Sequence, residues 1–202
     1  VFAWPTARVT IVGAESAAAD AEMILLAVDA LGAVGVSDLT VDLTIPPLVP
    51  ALLDAAAIDE GPRVALREAL DHKDSAAVAA NGGAAADILR TLVEAAGPAD
   101  HCFAVLGGLD LPGAAALERD RVGEVLECLR DAAPTLTITL DPVENRGFEY
   151  HSGVSFTLFP AASRGELGAG GRYQAAGVGE SEPATGFSLY LDTVLRVLPE
   201  PE

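Results

Sequence analysis

Leu39-Thr40-Val41-Asp42-Leu43-Thr44-Ile45 puts four aliphatic side chains on one side of an extended chain and Thr40, Asp42 and Thr44 on the other. The same period of two returns in Leu136, Ile138 and Leu140 against Thr137 and Thr139, in Val154, Phe156 and Leu158 against Ser155 and Thr157, and in Val9 and Ile11 around Thr10. Strands of an all-parallel sheet are covered on both faces and read as unbroken apolar runs. Alternation therefore predicts an α+β fold: a mainly antiparallel sheet with helices on one side and a polar face open to water.

Outward from these strands the period changes to that of helices. After Gly13, Ser16 is placed to cap a helix whose positive end holds Asp20 and Glu22, and whose core stripe is Met23, Ile24, Ala27, Val28 and Leu31. Its end is predicted between Gly32 and Gly35. Pro46 and Pro47 set the start of a second helix over 48–57. Short helices over 63–70, 75–80 and 84–95, broken by Asn81-Gly82-Gly83, read as an inserted helical subdomain, 61–96. A long helix over 113–130 leads back through Pro134 to the second group of strands.

The 202 residues carry 30 acidic against 12 basic side chains, a net charge of −18, and are 50% hydrophobic. This composition suits a globular domain with a sizeable core and argues against disorder. Lys73, the one lysine, and the arginines are scattered singly, which leaves no basic stripe for phosphates and predicts no nucleic-acid partner. No stretch is long and apolar enough to span a bilayer, so no membrane role is expected. Cys102 and Cys128 lack metal-ligand spacing and read as buried, reduced thiols, in keeping with a cytoplasmic protein that holds no metal and no cofactor.

Polar, aromatic and glycine residues concentrate in the last third of the chain. Arg146, Glu149, Tyr150 and His151 precede an alternating strand. The residues alone leave two readings open: a cleft in which Arg146 meets a carboxylate and Glu149 an ammonium group, or a plain hairpin with those two paired at the surface. Gly168-Ala169-Gly170-Gly171-Arg172-Tyr173 has no phosphate-loop spacing. It reads as a turn, with the hairpin and pocket interpretations again both open. No nucleophile elbow, zinc cluster or Cys-His pair is visible, and no catalytic residue is assigned.

Arg146-Gly147-Phe148-Glu149-Tyr150-His151-Ser152-Gly153 resembles the arginine-glycine-leucine-aspartate-tyrosine-tyrosine-threonine-glycine signature of histidyl-tRNA synthetases. Gly170-Gly171-Arg172-Tyr173 is similar to their glycine-glycine-arginine-tyrosine loop, and Pro183-Ala184-Thr185-Gly186-Phe187 to the start of their motif 3. The stretch from Val9 to Glu22 resembles the end of motif 2 and the helix after it. The resemblance implies a class II aminoacyl-tRNA synthetase-like core over 1–202, lacking the motif 1 region and forming the C-terminal part of a longer protein.

The departures from that family bear on function. Thr193 stands where the motif 3 arginine holds ATP, and Thr6 and Thr10 replace the motif 2 glutamine and glutamate that read the amino acid. The motif 2 arginine would fall near Phe2. These losses, with the acidic charge, argue against aminoacylation and match a synthetase-like paralogue, the regulatory subunits of ATP phosphoribosyltransferase. Membership of that branch implies a non-catalytic protein of histidine biosynthesis. It would form a homodimer within a hetero-oligomer with the short-form catalytic subunit and transmit feedback by free histidine. Arg146, Glu149, Tyr150, His151, Gly170, Gly171, Arg172 and Tyr173 would line the inherited amino-acid pocket. Two further readings are a divergent histidyl-tRNA synthetase or amino-acid-activating enzyme, and a pseudo-synthetase module that regulates another partner.

Overall fold

The computed structural model of the chain describes residues 5–144, 150–161, 165–176 and 181–198. In chain order the elements are β1 (Thr6–Val12), α1 (Ala17–Ala33), β2 (Leu39–Thr44), α2 (Leu48–Ala55), α3 (Glu60–Asp71), α4 (Ser75–Asn81), a 3-10 turn (Gly83–Ala85), α5 (Ala86–Ala95), β3 (Gly97–Pro98), α6 (Ala99–Gly107), α7 (Gly113–Ala132), β4 (Thr137–Asp141), β5 (His151–Pro160), β6 (Gly168–Ala175), β7 (Glu182–Tyr190) and α8 (Leu191–Val197). The strands form one seven-stranded sheet in the order β1-β7-β6-β5-β2-β4-β3. The pairs β1/β7, β6/β7 and β3/β4 are antiparallel.

The chain forms two compact units. The first comprises Val1–Asp42, Glu124–Ile138 and Ser155–Glu202, the second Leu43–Gly123 and Thr139–Val154. In the first, α1 packs on β1, β6 and β7. Ser16 caps α1 as expected, its Oγ accepting from the Ala19 N–H at 3.2 Å. Met23, Ile24, Ala27 and Leu31 are buried, while Val28 is half-buried. At the other end Gly35 takes φ +96, its N–H bonds Gly32 O, and the Val36 N–H bonds Leu31 O. These two bonds make a Schellman closure and satisfy carbonyls that the helix leaves unpaired.

In the second unit α3 packs on α4, α4 on α5, and α5 on α6. Asp74 caps α4, its Oδ1 accepting from the Ala76 and Ala77 N–H groups at 3.0 Å each. The helices over 48–57, 63–70 and 84–95 appear as Leu48–Ala55, Glu60–Asp71 and Ala86–Ala95, and α6 lies where no helix was expected. Ala99 to Leu106 is too short a run to establish a helical period against the background of alanines.

Two expectations are corrected. The polar set of β5 is not open to water: Ser155 is 0% and Thr157 7% exposed, because β5 lies inside the sheet order and is covered on both faces. Residues 168–173 are not a turn but part of β6, paired with β7 from Gly168↔Leu189 to Ala175↔Glu182. The glycines there serve close packing. A Cβ on Gly170 would collide with the Gly186 carbonyl oxygen, the Phe156 ring and Phe187 Cβ.

Candidate functional site

Arg172 is the most constrained of the expected site residues. On β6 it lies opposite Thr185 of β7, which lies opposite Ile11 of β1, so this row shares the sheet face that α1 covers. The side chain is 5% exposed and pairs with the Asp20 carboxylate, itself 8% exposed, at 2.9 Å from Nη2 to Oδ2. Nε donates to the same oxygen at 3.2 Å, Nη1 to Ala14 O at 3.2 Å and Nη2 to Ser16 O at 2.7 Å. A guanidinium beside a helix N-terminus opposes the macrodipole. The first-turn Asp20 and two carbonyl oxygens offset that cost and neutralise the buried charge. Arg172 thus joins β6 to the β1–α1 connection through its whole donor fork.

The neighbouring rows face the other way. Gly171, Gly186 and Thr10 are in register across β6, β7 and β1, and the Tyr173 hydroxyl lies 3.4 Å from Thr10 Oγ1 at the exposed surface. A Cβ on Gly186 would meet Val9 O at 2.5 Å and Thr10 Oγ1 at 2.6 Å, so backbone alone is presented at that point. Thr10 and Thr193 are placed on β1 and α8 respectively, the first exposed and the second half-buried. Thr6 begins β1.

Tyr150 and His151 belong to the second unit. His151 opens β5 and is 7% exposed, and the 65% exposed Tyr150 covers it with ring centroids 4.0 Å apart at 34°. Arg146, Gly147, Phe148 and Glu149 lie outside the described residues.

A group that sequence reasoning missed lies just before them. Asp141 ends β4, and its Oδ1 accepts from the Val143 and Glu144 N–H groups at 3.2 and 3.1 Å. Its Oδ2 meets Lys73 Nζ at 2.7 Å. Lys73 holds φ +52 at the end of α3, where its N–H bonds Leu70 O and the Asp74 N–H bonds Ala69 O, a second Schellman closure built without glycine. A lysine in the left-handed region costs about 1–2 kcal/mol. That the one lysine of an acidic chain falls at a helix end, and that an Asp-Pro pair ends a strand, are the signals that could have marked both residues.

Nearby, Cys102 is fully buried. Burial, and then the Asp141 carboxylate, pushes its thiol up to about 12. Cys128 is free as well but half-buried rather than buried as expected. Among the described residues no three His, Cys, Asp or Glu side chains are close enough to share a metal ion, and no helix is long and apolar enough to cross a membrane.

Comparison with known proteins places this geometry. The family model described as histidyl-tRNA synthetase matches residues 9–194. The chain is 52% identical over 97% of its length to the ATP phosphoribosyltransferase regulatory subunit of Paramagnetospirillum magneticum, and covers 51% of that protein. For the protein of the same name from Rhodospirillum centenum the figures are 51% identity, 96% of this chain and 50% of the relative. The chain spans about half the length of the curated relatives it matches. Among solved structures, one named as an ATP phosphoribosyltransferase regulatory subunit/histidyl-tRNA synthetase from Bacillus halodurans superposes with a TM-score of 0.83 at 23% identity, over 98% of this chain and 54% of that one. The ATP phosphoribosyl transferase (HisG:HisZ) complex from Thermotoga maritima matches with a TM-score of 0.75 at 19% identity, over 92% of this chain and 65% of that one. The architecture is the class II synthetase-like α+β core that the sequence motifs implied. The chain belongs to the histidyl-tRNA synthetase family, and the curated relatives it resembles at 44–52% identity are ATP phosphoribosyltransferase regulatory subunits.

Proposed function

We propose that the chain is the synthetase-like core of a regulatory subunit of ATP phosphoribosyltransferase, in the first step of histidine biosynthesis. The observation that carries the reading is 52% identity to a curated regulatory subunit over nearly the whole chain. In this reading it contributes no reacting group. It assembles with the short catalytic subunit, as a homodimer within a hetero-oligomer, and passes histidine feedback by favouring one state of the complex. The threonines at 6, 10 and 193 support a role without aminoacylation, because an uncharged hydroxyl does not replace a guanidinium against triphosphate or a carboxylate against an ammonium group. Its setting is the cytoplasm.

Arg146, Glu149, Tyr150 and His151 form the amino-acid-recognising group of this proposal. The first faces the carboxylate, the second the ammonium, and the tilted Tyr150–His151 ring pair the imidazole of free histidine. Arg172 serves the fold instead, since its donors are directed at Asp20, Ala14 and Ser16.

Mixing the full natural chain with the short catalytic subunit tests the assembly. Co-sedimentation and altered phosphoribosyl transfer are expected, and two species that sediment independently with unchanged turnover refute it. Calorimetry with free histidine tests the ligand group. Heat at millimolar histidine that Glu149→Gln abolishes is the expected result, and no heat from the unaltered chain removes the ligand proposal.

A further inference from the structure

Lys73, the one lysine of the chain, occupies the short link between α3 and α4 in the second unit. Its backbone is fixed from both sides. The His72, Lys73 and Asp74 N–H groups bond Glu68 O, Leu70 O and Ala69 O at the end of α3, and the Asp74 side chain caps α4. Leu66 and Leu70 of α3 and Val78 of α4 are buried, so the two helices hold the link in place. At φ +52 a glycine would close α3 without strain. What lysine adds at this position is its ammonium, and backbone strain of this kind marks a side chain that is put to use.

The ammonium is used on Asp141. Nζ is buried, although the side chain as a whole is 34% exposed, and it lies 2.7 Å from Asp141 Oδ2. The other carboxylate oxygen accepts from the Val143 and Glu144 N–H groups, and Val143 is itself buried. One carboxylate thus shapes a turn with one oxygen and is tied to the α3–α4 link with the other. A second ion pair from α3, Arg63 with Asp54, is of a different kind, since the Asp54 side chain is 70% exposed. Along the chain the Asp141 turn precedes Tyr150 and His151, which belong to the same compact unit.

We propose that Lys73 is a positioning residue for histidine recognition: held against Asp141, its ammonium fixes the turn that leads into the segment carrying Tyr150 and His151. This rests on the amino-acid-recognising group proposed above and adds a control on it, because ligand affinity then depends on the α3–α4 link. A recognition segment ordered before the ligand arrives binds more tightly than one that histidine itself must order.

Calorimetry with free histidine on the full natural chain, run beside thermal unfolding, tests the role. Lys73→Met keeps the strained backbone and removes the charge, and is expected to weaken histidine binding roughly tenfold. Lys73→Gly is expected to weaken it equally while unfolding near the parent's temperature, because relief of the left-handed strain offsets loss of the ion pair. Asp141→Asn keeps an oxygen acceptor for the turn, and combined with Lys73→Met it is expected to weaken binding no further than the stronger single change. Lys73→Arg, which retains a cation against Asp141, is expected to bind within about threefold of the parent. Arg63→Met, which breaks the exposed pair on the same helix, is expected to change affinity less than about twofold. If Lys73→Met and Lys73→Gly bind as the parent does, if Lys73→Arg is as weak as Lys73→Met, or if Arg63→Met weakens binding equally, the positioning role fails while histidine recognition stands. If the unaltered chain gives no heat with histidine, both proposals fall.

Discussion

Arg172 shows how a residue's identity and its task are separate questions. A glycine-glycine-arginine-tyrosine stretch marks the arginine as important, but the fork is spent on Asp20 and two carbonyls from 152 to 158 residues away along the chain. Arg172→Met leaves a buried carboxylate without its counter-charge and is expected to cost about 3–5 kcal/mol, read in urea unfolding. Arg172→Lys keeps the charge but not the fork, and falls between the two. Cys102 provides a second prediction at this scale. Folding raises its thiol from 9.0 to about 12, so the folded state holds the proton more tightly. The stability gained is full below pH 9 and is lost as pH rises towards 12. Cys102→Ala is expected to flatten the alkaline fall in stability by up to about 1.4 kcal/mol per pH unit. In the native protein at pH 8, Cys128 is expected to react with a thiol reagent well before Cys102.

Among the elements, helix ends were partly legible and glycine-rich strands were not. The end of α1 near Gly35 follows from a residue that accepts positive φ without cost. α2 closes in the same way on Ala57, at φ +50, whose N–H bonds Asp54 O while the Ile58 N–H bonds Leu53 O. Nothing about an alanine announces that conformation, and the helix was expected to run two residues further. Because Ala57 is exposed, Ala57→Gly loses little packing and is expected to stabilise the protein by about 0.5–1 kcal/mol, measured as a rise in unfolding temperature. β6 illustrates the opposite case. Its glycines look like a turn locally, yet they are needed where β6 meets β7 and the Phe156 ring. Gly170→Ala is expected to destabilise by about 1–3 kcal/mol, since the obstruction includes backbone that cannot rotate away. Gly123→Ala meets only the end of the Phe103 ring and is expected to cost less in the same unfolding assay.

Across the whole molecule the net charge of −18 sets the terms of association. It opposes docking to another polyanion and favours a partner with a cationic surface. The proposed complex should therefore form more slowly as salt rises. Surface plasmon resonance is expected to show an association rate that falls several-fold between about 50 and 500 mM salt, with a smaller change in dissociation. An association rate independent of salt would separate binding from charge.

From the sequence by itself came the α+β class, the strands over 39–45 and 154–158, the capped α1 and the synthetase-like motifs. These features are written in short-range patterns: a period of two, a period near four, and a cap within three residues of its target. Only the tertiary structure decided that Ser155 and Thr157 are buried, that Arg172 belongs to Asp20, and that Lys73 holds the Asp141 turn. Burial of a strand's second face depends on its place in the sheet, and an ion pair depends on which distant segments fold together. Neither is encoded in the spacing of neighbours along the chain.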